Sequence, residues 1–195
     1  MLANFNLSDL YIFSPVGLVT IFIIAILSTT LINYRKNQKG AELIERLKQL
    51  DNNTYRLISN VNFKSSDLKI DHIVLSTYAI FIIQRYHFTG VLSGTRSDQT
   101  WTLNHKNKRR NINNPLKLLE PRIPEFSKEL NIKPKYIIPI IAYSNATKLE
   151  VEPKLLNDFT VVNDNQIIES IHFHKTPKIG KIIIAEMVEK LHALK

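Results

Sequence analysis

The sequence predicts an α/β domain preceded by one N-terminal membrane-spanning helix. Short runs rich in β-branched and aromatic residues, expected as strands, alternate with segments whose apolar residues recur at helical spacing. A stretch of 25 residues, 10–34, carries no charge. Hydrophobic residues make up 44% of the chain and charged residues 22%, the proportions of a folded protein rather than a disordered one.

The 195 residues allow one domain of ordinary size and an appendage, divided as an anchor at 1–34 and a domain at 35–195. Cysteine is absent, which excludes disulfides, zinc-thiolate centres and cysteine nucleophiles. The formal charge of +9 favours a polyanionic partner, either nucleic acid or an anionic membrane face.

The apolar helix predicted over about residues 11–33 is long enough for the ~20 residues that cross a bilayer. No Lys or Arg precedes it and no small-residue cleavage site follows, so a signal peptide fits less well. Asp9 lies before it and Arg35, Lys36 and Lys39 after it, which by the positive-inside rule places the C-terminal domain in the cytoplasm. A single-pass membrane protein is expected, with the lipid bilayer as the partner of residues 11–33.

Gly40 marks the break between anchor and domain. Leu43, Ile44, Leu47 and Leu50 then recur at helical spacing, with Glu42 in the first turn, where the helix dipole favours a carboxylate. Asp51, Asn52 and Asn53 form a turn, residues 55–63 the first strand, and Ser65, Ser66 and Asp67 a loop. Residues 70–90 form a β-hairpin: two apolar runs, 73–75 and 79–83, around a turn at Ser76, Thr77 and Tyr78. Residues 91–92 and 100–103 are short strands, followed by the most basic stretch of the chain. A helix over 115–130 has Pro115 at its first position and breaks at Pro121 and Pro124. Residues 136–143 are a buried strand bent at Pro139, which argues against a central place in a sheet. Short strands at 148–151 and 159–162 and a short helix at 165–171 follow. The chain closes on an amphipathic helix at 177–194, with Ile179, Ile182, Ile183, Met187, Val188 and Leu191 on its apolar side. His172 and His174 alternate as strand ligands would, but no carboxylate or third histidine stands near them in sequence, which disfavours a metal.

Within residues 70–90 the polar residues stand at the ends. Asp71 opens the first run, and Gln84, Arg85 and Tyr86 close the second. The entry of one antiparallel strand lies beside the exit of its neighbour, so Asp71 and Gln84 can meet, each with an oxygen for a hard metal ion. An edge aspartate and a solvated glutamine are the alternative. The basic stretch holds Lys106, Lys108, Arg109 and Arg110, with Trp101 and His105 close by. Cations interleaved with an aromatic residue can follow a phosphate backbone while stacking a base, and a solvated hairpin tip is the alternative. Together with Arg96 they make up the candidate nucleic-acid-binding set.

In this order the chain resembles the NERD (nuclease-related) domain, a branch of the PD-(D/E)XK nuclease-like fold, over about residues 40–162. Four features carry the resemblance. They are Glu42 in the opening helix, Ile70 and Asp71 before a hydrophobic strand, Ile80, Phe81, Ile82 and Ile83 followed by a polar triplet and Gly90, and Trp101 followed by Asn114 and Pro115. The resemblance implies a restriction-endonuclease-like mixed β-sheet flanked by helices, with nucleic acid, DNA above all, as partner. With the anchor it points to a bacterial inner membrane. It puts Glu42, Asp71, Gln84 and Tyr86 at the catalytic positions, with Asp71 and Gln84 as ligands of Mg or Mn if the site is active. The family pattern closes the second strand with an E-x-K arrangement, and here Gln84 replaces the acid and Tyr86 the lysine. Glutamine offers a carbonyl oxygen without charge. Tyrosine, with a side-chain pKa of about 10, is neutral and supplies no cation. Arg85 is adjacent but points to the opposite strand face. Leu118 and Arg122 stand where the family commonly shows Gln and His after the Asn-Pro pair.

These residues lead to the expectation of a membrane-anchored nuclease-related protein that binds nucleic acid with weak or lost phosphodiester cleavage. An active Mg- or Mn-dependent nuclease is the first alternative. A membrane-surface module without nucleic-acid binding is the second. No residue pattern names another cofactor or a protein partner.

Overall fold

A computed structural model describes residues 15–63 and 68–193, in two compact units, 1–41 and 42–195. Helix α1 (Pro15–Leu47) runs through Gly40 without interruption. A single glycine costs a helix interior only about 1 kcal/mol, too little to force a stop. Glu42 therefore lies inside a helix rather than in a first turn, so the dipole argument for its carboxylate does not apply; it is exposed. The membrane span is also overturned: among the described residues no helix is long and apolar enough to cross a bilayer. The single-pass inner-membrane location expected from residues 11–33 does not hold. Residues 11–14 of that segment, and the loop at Ser65, Ser66 and Asp67, lie outside the described residues.

The second unit is mixed α/β, with two mixed sheets flanked by helices. In chain order its elements are β1 (Tyr55–Phe63), β2 (Leu68–Ser76), β3 (Ile80–Tyr86), β4 (Gly90–Gly94), β5 (Thr100–His105), β6 (Lys108–Asn113), α2 (Pro115–Leu119), α3 (Ile123–Leu130), β7 (Ile137–Tyr143), β8 (Thr147–Val151), α4 (Pro153–Asn157), β9 (Val161–Asn163), α5 (Ile167–His172) and α6 (Lys181–His192). The first sheet has the order β1-β2-β3-β7-β9, antiparallel as far as β3 and parallel beyond it. The second has the order β6-β5-β4-β8, with β4 and β8 parallel.

Two chain segments build both sheets. β3 runs on into β4 and β7 into β8, each pair parallel, so the segments stay side by side while they turn a corner at 87–89 and 144–146. The corner is stitched by Ser144 N donating to Tyr86 O (3.1 Å) and Gly90 N to Ala146 O (3.2 Å). Ser144 Oγ and Thr147 Oγ1 both donate to Phe88 O. Gly90 has φ +121°, and a Cβ there would lie 2.2 Å from Asn104 O, so the turn requires glycine.

β3 is buried on both faces. Phe81 and Ile83 join Leu43, Leu47, Val74 and Ile167 in one core, while Ile80 and Ile82 join Ile73, Trp101, Leu116 and Phe126 in the other. Burial on both sides explains why residues 80–83 form an unbroken apolar run. β7 is central despite Pro139, because β9 pairs only with Ile141, Ala142 and Tyr143; at Pro139 the strand is a local edge. Residues 115–130 divide as expected from their prolines, into α2, a 3-10 turn at Glu120–Arg122, and α3. In α6 the buried stripe is Ile184, Met187 and Leu191, whereas Ile182 and Ile183 are exposed, a phase shift from the expected apolar side. His172 ends α5 and His174 follows it, so neither is a strand residue. Their rings lie against Tyr55 and Phe81.

The basic stretch forms β6, an edge strand, closed onto β5 by a two-residue turn at Lys106 (φ 45°) and Asn107 (φ 60°). Both residues take the left-handed backbone that such turns need, and charges along the edge guard it against pairing with another chain.

Gly94 lies against Trp101, and a Cβ there would come within 2.2 Å of the indole Cδ1. Gly94→Ala should therefore destabilise the fold by about 1–3 kcal/mol through overpacking. Urea unfolding at an unchanged midpoint would show that the corner tolerates the methyl group.

Candidate nucleic-acid interface

β2 and β3 are paired from Leu75↔Ile80 to His72↔Ile83, and the pairing stops there. The next residues are Asp71 and Gln84. Asp71 Oδ2 accepts the backbone N–H of Arg85 (2.8 Å) and the Gln84 Nε2 amide (2.9 Å). A side-chain carboxylate thus takes the place of a strand carbonyl, and the strands part around it. On β1 the register also lapses at Asn60, which has φ 57°. Ile58 and Val61, like Ile70 and Ile73, face the same core at a spacing of three, so the two-residue alternation resets beside Asp71.

Asp71 and Gln84 are therefore in contact, while Glu42 shares no hydrogen bond with them among the described residues. The donor set does not fit a resident divalent cation. It has one carboxylate, with two N–H groups already on Oδ2, and no group of three His, Asp or Glu side chains among the described residues could hold a metal ion. Mg²⁺ and Ca²⁺ sites are built from several oxygens with carboxylate charge among them.

Tyr86 joins an aromatic cluster. Its ring stacks on Phe88 (centroids 6.1 Å, 25°) and on Tyr143 of β7 (5.7 Å, 29°). Burial raises the phenol pKa of both tyrosines above the ordinary 10, so both remain neutral. Tyr143 Oη is buried and has no hydrogen-bond partner among the described residues. The Arg110 guanidinium lies over the Phe88 ring, its Cζ 5.5 Å from the centroid.

On the other face of β3, Arg85 is committed to Asp164, which follows β9. Its Nη2 lies 2.5 Å from Oδ2 and its Nε 3.2 Å from Oδ1, and Asp164 is fully buried. Arg85 is therefore engaged in an ion pair and presents no free cation at this end of β3. His72 Nδ1 is bonded to Ser59 Oγ at 2.8 Å, and burial lowers the imidazole pKa against the opposing charge of Asp71.

The expected nucleic-acid residues separate into internal and external groups. Trp101 is fully buried, with Nε1 donating to Thr95 O (2.8 Å), so it has no face for a base and that expectation fails. Asn114, also fully buried, donates from Nδ2 to Asp98 O (2.8 Å) and accepts Leu116 N–H at Oδ1, tying the loop at 95–98 to the start of α2. Arg96 is paired with Glu120 at 2.5 Å, the contact that raises its pKa. Lys106, Lys108, Arg109 and Arg110 are exposed. Arg110 stands opposite Leu103 and Lys108 opposite His105, on the core-facing side of the hairpin; Arg109 stands opposite Asn104 on the outer side. Phe88 was missed by the sequence analysis. Its alternation with Tyr86 along an extended chain was the available signal.

The second unit is thus a mixed α/β domain whose first sheet parts around an aspartate, with a basic hairpin in its second sheet. The family model of the nuclease-related domain (NERD) matches residues 36–144, more than half of the chain, and the protein belongs to that family. Membership is consistent with the PD-(D/E)XK-like nuclease superfamily. No curated protein and no solved structure matches the chain. The matched span ends just beyond β7, so Asp164 and α6 lie outside it.

Two outcomes follow from the buried groups. Asp164→Ala leaves the Arg85 guanidinium buried and unpaired, and should cost about 3–5 kcal/mol in urea unfolding; a loss below about 1 kcal/mol would mean that Arg85 escapes to water. His72 is held below its ordinary 6.5, so the folded state disfavours the imidazolium. Its contribution is present above that value and falls as pH drops below it, with His174 adding the same sign. His72→Gln should flatten the decline in stability below pH 6.5, and an identical pH profile would contradict this.

Proposed function

We propose that this NERD protein binds nucleic acid along the hairpin face beside Asp71 and Gln84, with phosphodiester cleavage weak or lost. The observation that carries the proposal is the end of β3. Gln84 and Tyr86 stand where the family has an acid and a lysine, while Arg110 of the adjoining hairpin is exposed over Phe88, next to Tyr86. Cleavage in this fold needs charge to hold a metal and a cation to orient or activate water. Asp71 supplies one carboxylate, Tyr86 is a neutral phenol, and Arg85 is held by Asp164.

Binding makes a smaller demand. Lys108 and Arg110 share one side of an exposed strand, spaced to follow successive phosphates, and the net charge of +9 draws a polyanion to the surface. DNA is the expected partner. Family membership supports a nucleic-acid-related role, and the division of charges between the two hairpin faces narrows where contact occurs.

Salt dependence tests this. Each phosphate contact contributes about 0.9 to the slope of log affinity against log salt for duplex DNA. The double variant Lys108→Ala with Arg110→Ala should reduce that slope by about 2, and Arg109→Ala, on the outer face, by well under 1. Equal reductions from both faces would remove the hairpin-face assignment, and wild-type protein without affinity for DNA would refute the binding role.

A further inference from the structure

We infer that Phe88, supported by Tyr86 and Tyr143 and covered by Arg110, is a stacking platform for an unpaired base, making single-stranded nucleic acid the preferred ligand of this site. The inference rests on the binding role proposed above and names its substrate class.

The geometry supplies each part. Phe88 lies at the corner where the chain passes from β3 to β4, and its ring is half-buried rather than enclosed. Tyr86 and Tyr143 support it from within at 6.1 and 6.0 Å, with interplanar angles of 25° and 34°. Tyr143 is fully buried, and the corner carbonyl of Phe88 accepts two hydroxyl donors, so both the ring's support and its backbone are fixed. Arg110 covers Phe88 at 5.5 Å and takes part in none of the ion pairs found among the described residues. An exposed guanidinium without an ion-pair partner can lift toward a phosphate, or lie on the far side of a base that slides onto the ring. Aromatic rings and arginine planes both stack bases.

A duplex offers phosphates and base edges at its surface, but its base faces are covered by their neighbours. A ring that reads faces therefore favours unpaired nucleotides. This also gives the exchange of lysine for Tyr86 a positive consequence: the phenol extends an aromatic support directly beside Asp71 and Gln84. DNA and RNA share this stacking chemistry.

The test uses the full chain and a short oligothymidine carrying one 2-aminopurine, its RNA counterpart, and a duplex of the same length. Wild type should quench the fluorophore in the single strand. Phe88→Leu keeps an apolar side chain without a ring, and should abolish the quench and weaken single-strand binding about tenfold, with duplex binding within about twofold. Phe88→Tyr should retain both quench and affinity. Full affinity and quench in Phe88→Leu, or equal losses for single strand and duplex, overturn the platform. Wild type that binds duplex but not single strand overturns the platform and leaves the proposed function standing; wild type that binds neither overturns both. A response to only one of the two single strands supports the platform and identifies the nucleic acid.

Discussion

The carboxylate of Asp71 governs the architecture around the site. By accepting the Arg85 backbone N–H and the Gln84 amide, it ends the β2–β3 ladder while keeping the strand exits aligned. β3 then leaves β2 and continues beside β7, turns the corner at residues 87–89, and enters the second sheet as β4. The position of the aromatic cluster, and of the basic β5–β6 hairpin beside β4, follows from that departure. A carboxylate with two N–H partners is well satisfied as a structural group, which is also why it is a poor starting point for a metal site.

The two faces of β3 divide the work beyond that point. One face carries Arg85 into an ion pair with the buried Asp164, fastening β3 to the region after β9. The other carries Gln84 and Tyr86 toward Phe88 and Arg110. A residue-by-residue alternation thus separates a structural cation from a neutral, aromatic site, and neither face leaves a cation where the family has its lysine. The framework depends on apolar packing of residues 80–83 and on glycines 90 and 94, none of which takes part in phosphodiester chemistry. That independence allows the fold to persist while the chemistry at its edge changes.

Most of the strands were legible in the sequence because β-branched runs bounded by turns are a local signal. Asp71 meeting Gln84 was legible for the same reason, since antiparallel register follows from turn position. The long helix through Gly40 was not, because one glycine is too weak a signal against helical residues on both sides. Pro139 misled because its tolerance depends on where β9 stops pairing, which only the tertiary structure sets. Trp101 misled in the opposite direction. Its neighbours in sequence are charged and polar, yet strand alternation turns its ring inward against Gly94. Phe88 and Tyr143 are far apart in sequence, and their ring contact appears only when β3 and β7 lie side by side. The charge stretch at 106–110 was visible as a cluster, but its division into two faces needed the β5–β6 register.

The proposed role of this nuclease-related domain is to hold nucleic acid without cutting it. The most direct measurement incubates wild type and Asp71→Ala with supercoiled and single-stranded DNA in Mn²⁺ and Mg²⁺, and reads binding and cleavage on the same samples. Wild type is expected to form a bound complex with intact DNA in both metals, and neither protein to cut. Metal-dependent cutting by wild type that disappears in Asp71→Ala would contradict this, and would show that one carboxylate with Gln84 is enough to run the reaction.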